Sequence, residues 1–292
     1  MHPSWAAKSP CSFFRLLIEM KILVSGGDGF LGTAVVSLLR QTHTEVHSLT
    51  RRSERQGVTV YCDLSVASSV SAVLSAVAPE CIVNLAATVD FSKNVLPLLY
   101  PVNSLCQAIM AEYCRRTGAL LVQASSVVVL GYRKTCFVLD SLESPDTDYG
   151  RSKLIADHAI LASGCMAAII RFGGIFGENG PQHLGLNRVI AEAKQGARPR
   201  IVGTGSALRN YIHVADAATM ISRCISEGIA GVLYAGGETR SVLQMYQSVC
   251  DVWLPGQMPL LLGGEDGQDQ LVLSSEVLGA TRSFDHCLRG IP

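Results

Sequence analysis

Ile22-Leu-Val-Ser-Gly-Gly-Asp-Gly-Phe-Leu-Gly32 is a short apolar run that breaks into glycines at spacing three and three. Lys21–Ser25 reads as a buried strand, and Thr33–Leu39 has the apolar spacing of a helix packed on a sheet. The glycines sit at the junction. Gly26 permits a tight turn, Gly29 lets the backbone approach a pyrophosphate, and Gly32 lets helix and strand come close. The helix that follows offers its positive N-terminus to phosphates. Gly26, Gly29, Phe30, Leu31 and Gly32 are therefore candidate cofactor-binding residues. A glycine motif alone is weak evidence, but strand before and helix after is the context a dinucleotide loop needs.

Outward from this loop, Glu45–Thr50, Val58–Tyr61, Cys81–Leu85, Ala119–Ser125 and Met166–Arg171 read as further strands. Three helices lie between them: Val66–Ala78, stopping at Pro79; about Asn103 to Arg116, ending at Gly118; and Tyr149–Ser163, ending at Gly164. This alternation means βαβ units with right-handed crossovers, hence an α/β fold with a doubly wound parallel sheet of the Rossmann type. Ligands of such sheets lie at the carboxyl ends of the strands. After Arg171 the texture changes. Gly173–Gly185 is glycine-rich, Leu186–Gln195 is helical, Arg209–Asp216 leads into another helix, and Val232–Ala235 reads as one more sheet strand. The expected division is a dinucleotide-binding domain over 20–172 and a smaller, partly interleaved substrate lobe over 173–292. A segment near 231–236 should return to the sheet.

Three further stretches carry chemistry. Tyr149-Gly-Arg-Ser-Lys153 puts a phenol and an ammonium one turn apart on one helix face. A close cation lowers a phenol from its usual pKa near ~10, which suits proton transfer at neutral pH. Ser125-Ser126 ends the preceding strand, where a hydroxyl can orient a substrate oxygen for the tyrosine. The second strand ends Leu49-Thr50-Arg51-Arg52, without the acidic residue that usually meets a ribose 2′-hydroxyl. Arg51 and Arg52 can instead hold a 2′-phosphate, which favours NADP while leaving NAD possible. The bland alternative is two solvated surface arginines.

The bulk numbers exclude other classes. Hydrophobic residues make up 48% and charged ones 16%, as in a well-buried α/β protein. Lys plus Arg and Asp plus Glu are both 24, so there is no electrostatic footprint for nucleic acid. The ten cysteines contain no C-x-x-C pair, which disfavours a metal or redox motif. Cys62, Cys81, Cys136, Cys165, Cys224 and Cys250 stand in apolar strings and read as buried thiols in a reducing compartment, the cytoplasm. No apolar run is long enough to span a membrane. Residues 1–19 read as a disordered extension, or as the product of an upstream start codon chosen over Met20, because Met20 directly precedes the first strand.

With these pieces in place, the chain over roughly 20–290 resembles the extended short-chain dehydrogenase/reductase family, of the NAD(P)-dependent nucleotide-sugar epimerase/dehydratase type. Matching segments are Ile22–Gly32, Asp63-Leu64 on the adenine side, Asn84-Leu-Ala-Ala87 beside the cofactor, and Val102-Asn103 opening a helix. Ser125-Ser126-Val-Val-Val-Leu-Gly131, Tyr149–Lys153, Arg171–Gly177 and Arg209-Asn-Tyr-Ile-His-Val-Ala-Asp216 are similar to its later blocks. The resemblance implies catalytic roles for Ser126, Tyr149 and Lys153, with Ser126 also touching substrate. It implies cofactor contacts from Asp63, Leu64, Ala86, Ala87, Tyr149 and Lys153, and a substrate diphosphate contact from Arg209. His213 is expected to be structural. Leu130, Phe172 and Ala235 depart from the family's usual tyrosine, proline and asparagine. No Asp-Glu pair follows Ser126, which disfavours 4,6-dehydratase chemistry.

The expected activity is hydride transfer at a hydroxyl or carbonyl carbon of a nucleotide sugar, by an epimerase or a reductase. The resemblance also implies a homodimer through the helices near Asn103–Arg116 and Tyr149–Ser163. The rival readings are a reductase of a non-sugar carbonyl metabolite and a nicotinamide-binding regulatory protein without turnover.

Overall fold

A computed structural model describes residues 19–51 and 59–292. The proposed extension over 1–19 therefore falls almost wholly outside the described residues, as does Arg52. The glycine loop joins β1 (Ile22–Ser25) to α1 (Phe30–Leu39). Then come β2 (Val46–Thr50), β3 (Thr59–Tyr61), α2 (Ala67–Val77) and β4 (Cys81–Asn84). A helical stretch follows in three pieces: α3 (Leu96–Tyr100), a π turn (Pro101–Leu105) and α4 (Cys106–Thr117). Next are β5 (Leu120–Ser126), β6 (Cys136–Phe137), α5 (Asp148–Ser163) and β7 (Ala167–Phe172).

The helix expected from about Asn103 thus begins seven residues earlier, at Leu96. Pro97 is tolerated because it lies in the first turn, where a backbone N–H has no intrahelical partner. Pro101 also lacks an N–H, and the ladder passes it as a single π turn rather than stopping. Asn103 accordingly lies within the helical stretch instead of opening it.

Seven strands form one parallel sheet in the order β3-β2-β1-β4-β5-β7, with β12 (Gly231–Ala235) beyond β7. The sheet is apolar on both faces. Ile22, Val24, Val83, Val122 and Ile170 face α1 and α7 (Val214–Glu227). Leu23, Ile82, Leu121 and Ile169 face α2, α4 and α5. Continuous Ile/Val/Leu strands are what a sheet covered on both sides requires. A third core packs α6 (Gly185–Lys194), α8 (Val242–Trp253) and α9 (Phe284–Arg289) around Phe176. Short strand pairs tie this part to the sheet. Among them are β8 (Ile175–Phe176) with β11 (Ile212–His213), and β6 with β15 (Leu271–Val272).

None of the nine described cysteines is in a disulfide. Two of those expected to be buried are not: Cys136 is exposed and Cys165 half-buried. Cys136 lies on a two-residue strand outside the main sheet, where no second layer covers it. No described helix is long and apolar enough to cross a membrane.

Candidate active site

The glycine loop is built for close approach. Gly26 has a φ of +67°, and a Cβ there would lie 2.9 Å from the Ala86 nitrogen. A Cβ on Gly32 would run into the Gly26 carbonyl, so α1 can sit against the end of β1 only with glycine at that position. Gly29 caps α1 and lines a cavity of about 510 Å³ together with Phe30, Leu31 and Ala87. This cradle fits a dinucleotide whose phosphates meet the N-terminus of α1.

Ser126, Tyr149, Lys153 and Arg209 line the same cavity, although they come from β5, α5 and β10 (Leu208–Arg209). Thr147 caps α5 by accepting from the Gly150 nitrogen at 3.0 Å, which sets where its first turn faces. Lys153 is buried and donates to the Ala124 carbonyl at 2.6 Å. Ser125 is buried and donates to Asp157, whereas Ser126 is only half-buried and accepts weakly from the Val128 nitrogen at 3.4 Å. Ser126 is thus the serine with its hydroxyl left for a ligand, although both line the cavity.

Electrostatics differ from the expectation for the pair. Burial, with the Asp157 carboxylate adding to it, pushes the Tyr149 phenol up to about 12. Burial lowers the Lys153 ammonium to about 8, partly offset by Asp157. The lysine therefore does not depress the tyrosine in the protein itself. Removing both groups from water disfavours phenolate and ammonium alike, and the charge that reaches Tyr149 is the carboxylate's. At neutral pH the phenol keeps its proton.

Asp157 was not foreseen from the sequence. It lies four residues after Lys153, a helical spacing that could have marked it. It is fully buried, accepts from Arg171 Nε at 3.0 Å, and leaves Oδ1 without a partner among the described residues. Arg171 in turn donates to Tyr234 at 2.9 Å and to Glu143, so its role is to brace β7 against α5. Also unforeseen is Phe91, whose ring stands edge-on to Tyr149 at 5.4 Å and also neighbours Tyr132 and His183.

The remaining candidates, Arg209 aside, lie apart from the main cavity lining. Arg51 is exposed at the end of β2, close enough to help lower the Asp63 pKa, a shift due mainly to hydrogen bonds from Ser65. Leu64 and Ala86 are half-buried, Ala86 against Gly26 of the loop, and Asp28 accepts from Thr50 at 3.3 Å at the end of β2. Asn84 is buried, accepting from Ser25 and donating to Gln123 at 2.7 Å. Asn103 donates to Thr88 at 2.8 Å and to Ser152 at 3.0 Å, fastening the loop after β4 to α5. His213 caps α7 through Ala215. Arg209 donates through one nitrogen, Nη1, to the carbonyls of Leu208 at 2.8 Å and Gln268 at 2.6 Å, so the protein holds one end of its guanidinium.

A model of the NAD dependent epimerase/dehydratase family matches residues 22–234. The chain belongs to this family. Membership makes it an enzyme that works with a nicotinamide dinucleotide. Among curated proteins it is similar to GDP-6-deoxy-D-talose 4-dehydrogenase of Aggregatibacter actinomycetemcomitans, 28% identical over 245 residues, 80% of each chain. Among solved structures it is similar to UDP-N-acetylglucosamine 4-epimerase from Bacillus cereus. That likeness has a TM-score of 0.80 at 21% identity and covers 93% of this chain and 97% of the other. It is also similar to the Bordetella bronchiseptica enzyme WbmH in complex with NAD+, with a TM-score of 0.77, 16% identity and coverage of 93% and 97%. At these identities the two structures establish the fold.

Proposed function

We propose that the enzyme transfers hydride at a hydroxyl or carbonyl carbon of a nucleotide sugar, with net reduction the favoured direction. The observation that carries this is one cavity lined by the glycine loop's Gly29–Leu31, by Ser126, Tyr149 and Lys153, and by Arg209. The 20–172 part supplies the dinucleotide half and 173–292 the substrate half. A bound nicotinamide supplies or accepts the hydride. Ser126 holds the reacting oxygen by a hydrogen bond. Tyr149 gives that oxygen its proton, a task for which a phenol held protonated at neutral pH is suited. Lys153 would return a proton from its ammonium to the Tyr149 phenolate and, with Tyr149, would hold the cofactor ribose.

NADP is the proposed cofactor, on the strength of Arg51 and Arg52. A second reading, NAD, is favoured by Asp28, a carboxylate held by Thr50 at the strand end where a 2′-hydroxyl would lie. Two finer proposals go with the assignment. The protein is a homodimer through the helix faces of α4 and α5, where Ile155 and Leu161 remain exposed. It works in the cytoplasm, where unpaired thiols persist.

Arg209 tests the assignment. Arg209→Ala should weaken binding of a free nucleoside diphosphate by about 1.5–3 kcal/mol, the scale of a charged hydrogen bond, and leave cofactor affinity unchanged. Calorimetry with UDP, GDP and dTDP reads it. If the wild-type protein binds none of the three, the nucleotide-sugar reading fails.

A further inference from the structure

Asp157 carries more acceptor capacity than its described partners use. Ser125 at 2.9 Å and Arg171 Nε at 3.0 Å both donate to Oδ2, and the buried Oδ1 has no partner among the described residues. Arg171 does not belong to Asp157 alone. Its guanidinium also meets Glu143, on the side of His158 and solvent, so it is shared between two carboxylates. A second cation stands close by position. Lys153 lies one turn before Asp157 on α5, and residues four apart share a helix face. The two are 1% and 0% exposed, so neither has water to stabilise its charge. Lys153 donates to the Ala124 carbonyl at 2.6 Å, which leaves further N–H groups of the ammonium unused.

A lysine this deep keeps its proton only near a negative charge, because an ammonium out of water is disfavoured. The groups on the elements packed around it are few. On α5 itself stands Tyr149, whose phenol is neutral at ordinary pH. β7 brings Arg171, the segment before α5 brings Glu143 with His158 behind it, and β12 brings Tyr234, which accepts from Arg171. β5 brings Ser125, and the π turn brings Asn103 and Ser104, none of which titrates. α4 carries the Cys106 thiol, pushed up to about 12 by burial and so neutral, and α3 carries Tyr100, which stays exposed. Asp157 is therefore the carboxylate on the lysine's own helix face, and its charge works against burial there. Burial in turn raises the Asp157 carboxyl, while Arg171, Ser125 and Lys153 hold it down. Each charge of the pair favours the other.

We infer that Asp157 is the counter-ion of Lys153, a positioning residue that keeps the buried ammonium charged so that it can return a proton to Tyr149; the consequence for turnover rests on the hydride-transfer reading of the same cavity. Asp157 does not touch substrate or cofactor. It acts through Lys153, and through Ser125 it ties that charge to the end of β5 next to Ser126. Asp157 thereby sets the upper end of the pH range in which the site can supply a proton.

Two NMR titrations of the full chain test the pairing without any substrate. With lysine labelled with carbon-13 at Cε, Lys153, assigned as the signal missing in Lys153→Met, should titrate at about 8 in the wild type. In Asp157→Asn, whose amide oxygen still accepts from Ser125 and Arg171, that midpoint should fall by about one pH unit or more. Ser125→Ala removes a bond to the same carboxylate oxygen without removing charge, and should leave the midpoint at the wild-type value. A midpoint unmoved in Asp157→Asn, or moved as far in Ser125→Ala, overturns the inference. The second titration leaves Asp157 in place and decides the matter even where Asp157→Asn does not fold. With aspartate labelled at Cγ, the Asp157 carboxylate should show a step at the Lys153 midpoint that Lys153→Met abolishes. No such step, or a neutral carboxylic acid at neutral pH, overturns the pairing. In turnover, the alkaline fall in the rate of carbonyl reduction should move down together with the Lys153 midpoint in Asp157→Asn, and a fall that stays in place overturns the role given to Asp157. Absence of turnover on any nucleotide sugar overturns the proposed function instead, and the two titrations still decide the ion pair.

Discussion

Ser125 donates its hydroxyl proton to Asp157 at 2.9 Å, one helical turn beyond Lys153. The adjacent Ala124 carbonyl accepts from Lys153, so two successive residues of β5 are pinned to two successive turns of α5. Ser126, the next residue, is thereby held at a fixed height opposite Tyr149. Asp157→Ala would remove one pin and leave the Arg171 guanidinium buried without one of its two carboxylates, the other being Glu143. Loss of one member of a buried ion pair costs about 3–5 kcal/mol. Urea denaturation followed by circular dichroism should show a loss of that size, and a change under ~1 kcal/mol would mean that Glu143 alone suffices for Arg171.

Tyr149→Phe deletes the transferable proton and keeps the ring against Phe91. Turnover should fall by about 10²–10⁴, with unfolding midpoint and cofactor affinity nearly unchanged. Near-wild-type turnover would show that the proton comes from another group.

Lys153 gives the reaction a pH dependence. Its ammonium, lowered to about 8 by burial, is needed to replenish the Tyr149 proton during reduction. The rate of carbonyl reduction at saturating substrate should be flat below about 8 and decline above it. A flat profile to pH ~10, the ordinary range of an exposed amine, would rule this out. Stability carries the opposite sign. Between about 8 and the ordinary lysine value of 10.5 the folded chain binds fewer protons than the unfolded one, so this group's contribution rises with pH there and is lost as pH falls through 8. Tyr149 acts oppositely above pH 10, where the folded state holds its proton up to about 12 and the contribution declines.

Cofactor preference should follow the strand end of β2. NADPH is expected to bind at least several-fold more tightly than NADH, and Arg51→Ala should narrow the gap. Equal affinities in calorimetry would transfer the decision to Asp28 and favour the NAD reading.

Much of the fold is legible because its signals are local. The strand–glycine–helix junction at 22–39 and the alternation up to Phe172 follow from apolar periodicity and turn residues within a few positions of each other. The helix start at Leu96 was hidden because Pro97 and Pro101 look like breakers, and only packing shows that one falls in a first turn and the other in a π turn. In the site, the spacing of Tyr149 and Lys153 is local and easily read. The direction of the Tyr149 pKa is not, since it is set by burial and by a carboxylate two turns away. Arg209 illustrates the longer limit: its partner Gln268 lies 59 residues on, and nothing in the Arg209 block announces that contact. Phe91 and His183 are likewise brought together only by the folded chain.

The buried polar line across the sheet sets the route by which protons can leave. Ser25 donates to Asn84, Asn84 to Gln123, and Gln123 to the Ala124 carbonyl that Lys153 also meets. Every donor in the line ends on an oxygen that cannot take up and pass on a proton: two amide side chains and one backbone carbonyl. The line fixes three strand ends against one another, yet it insulates the lysine from the sheet side of the molecule. Protons gained or lost in turnover cannot use this line, whereas the ligand cavity is lined by Lys153 itself, which ties recharging of the lysine to that cavity.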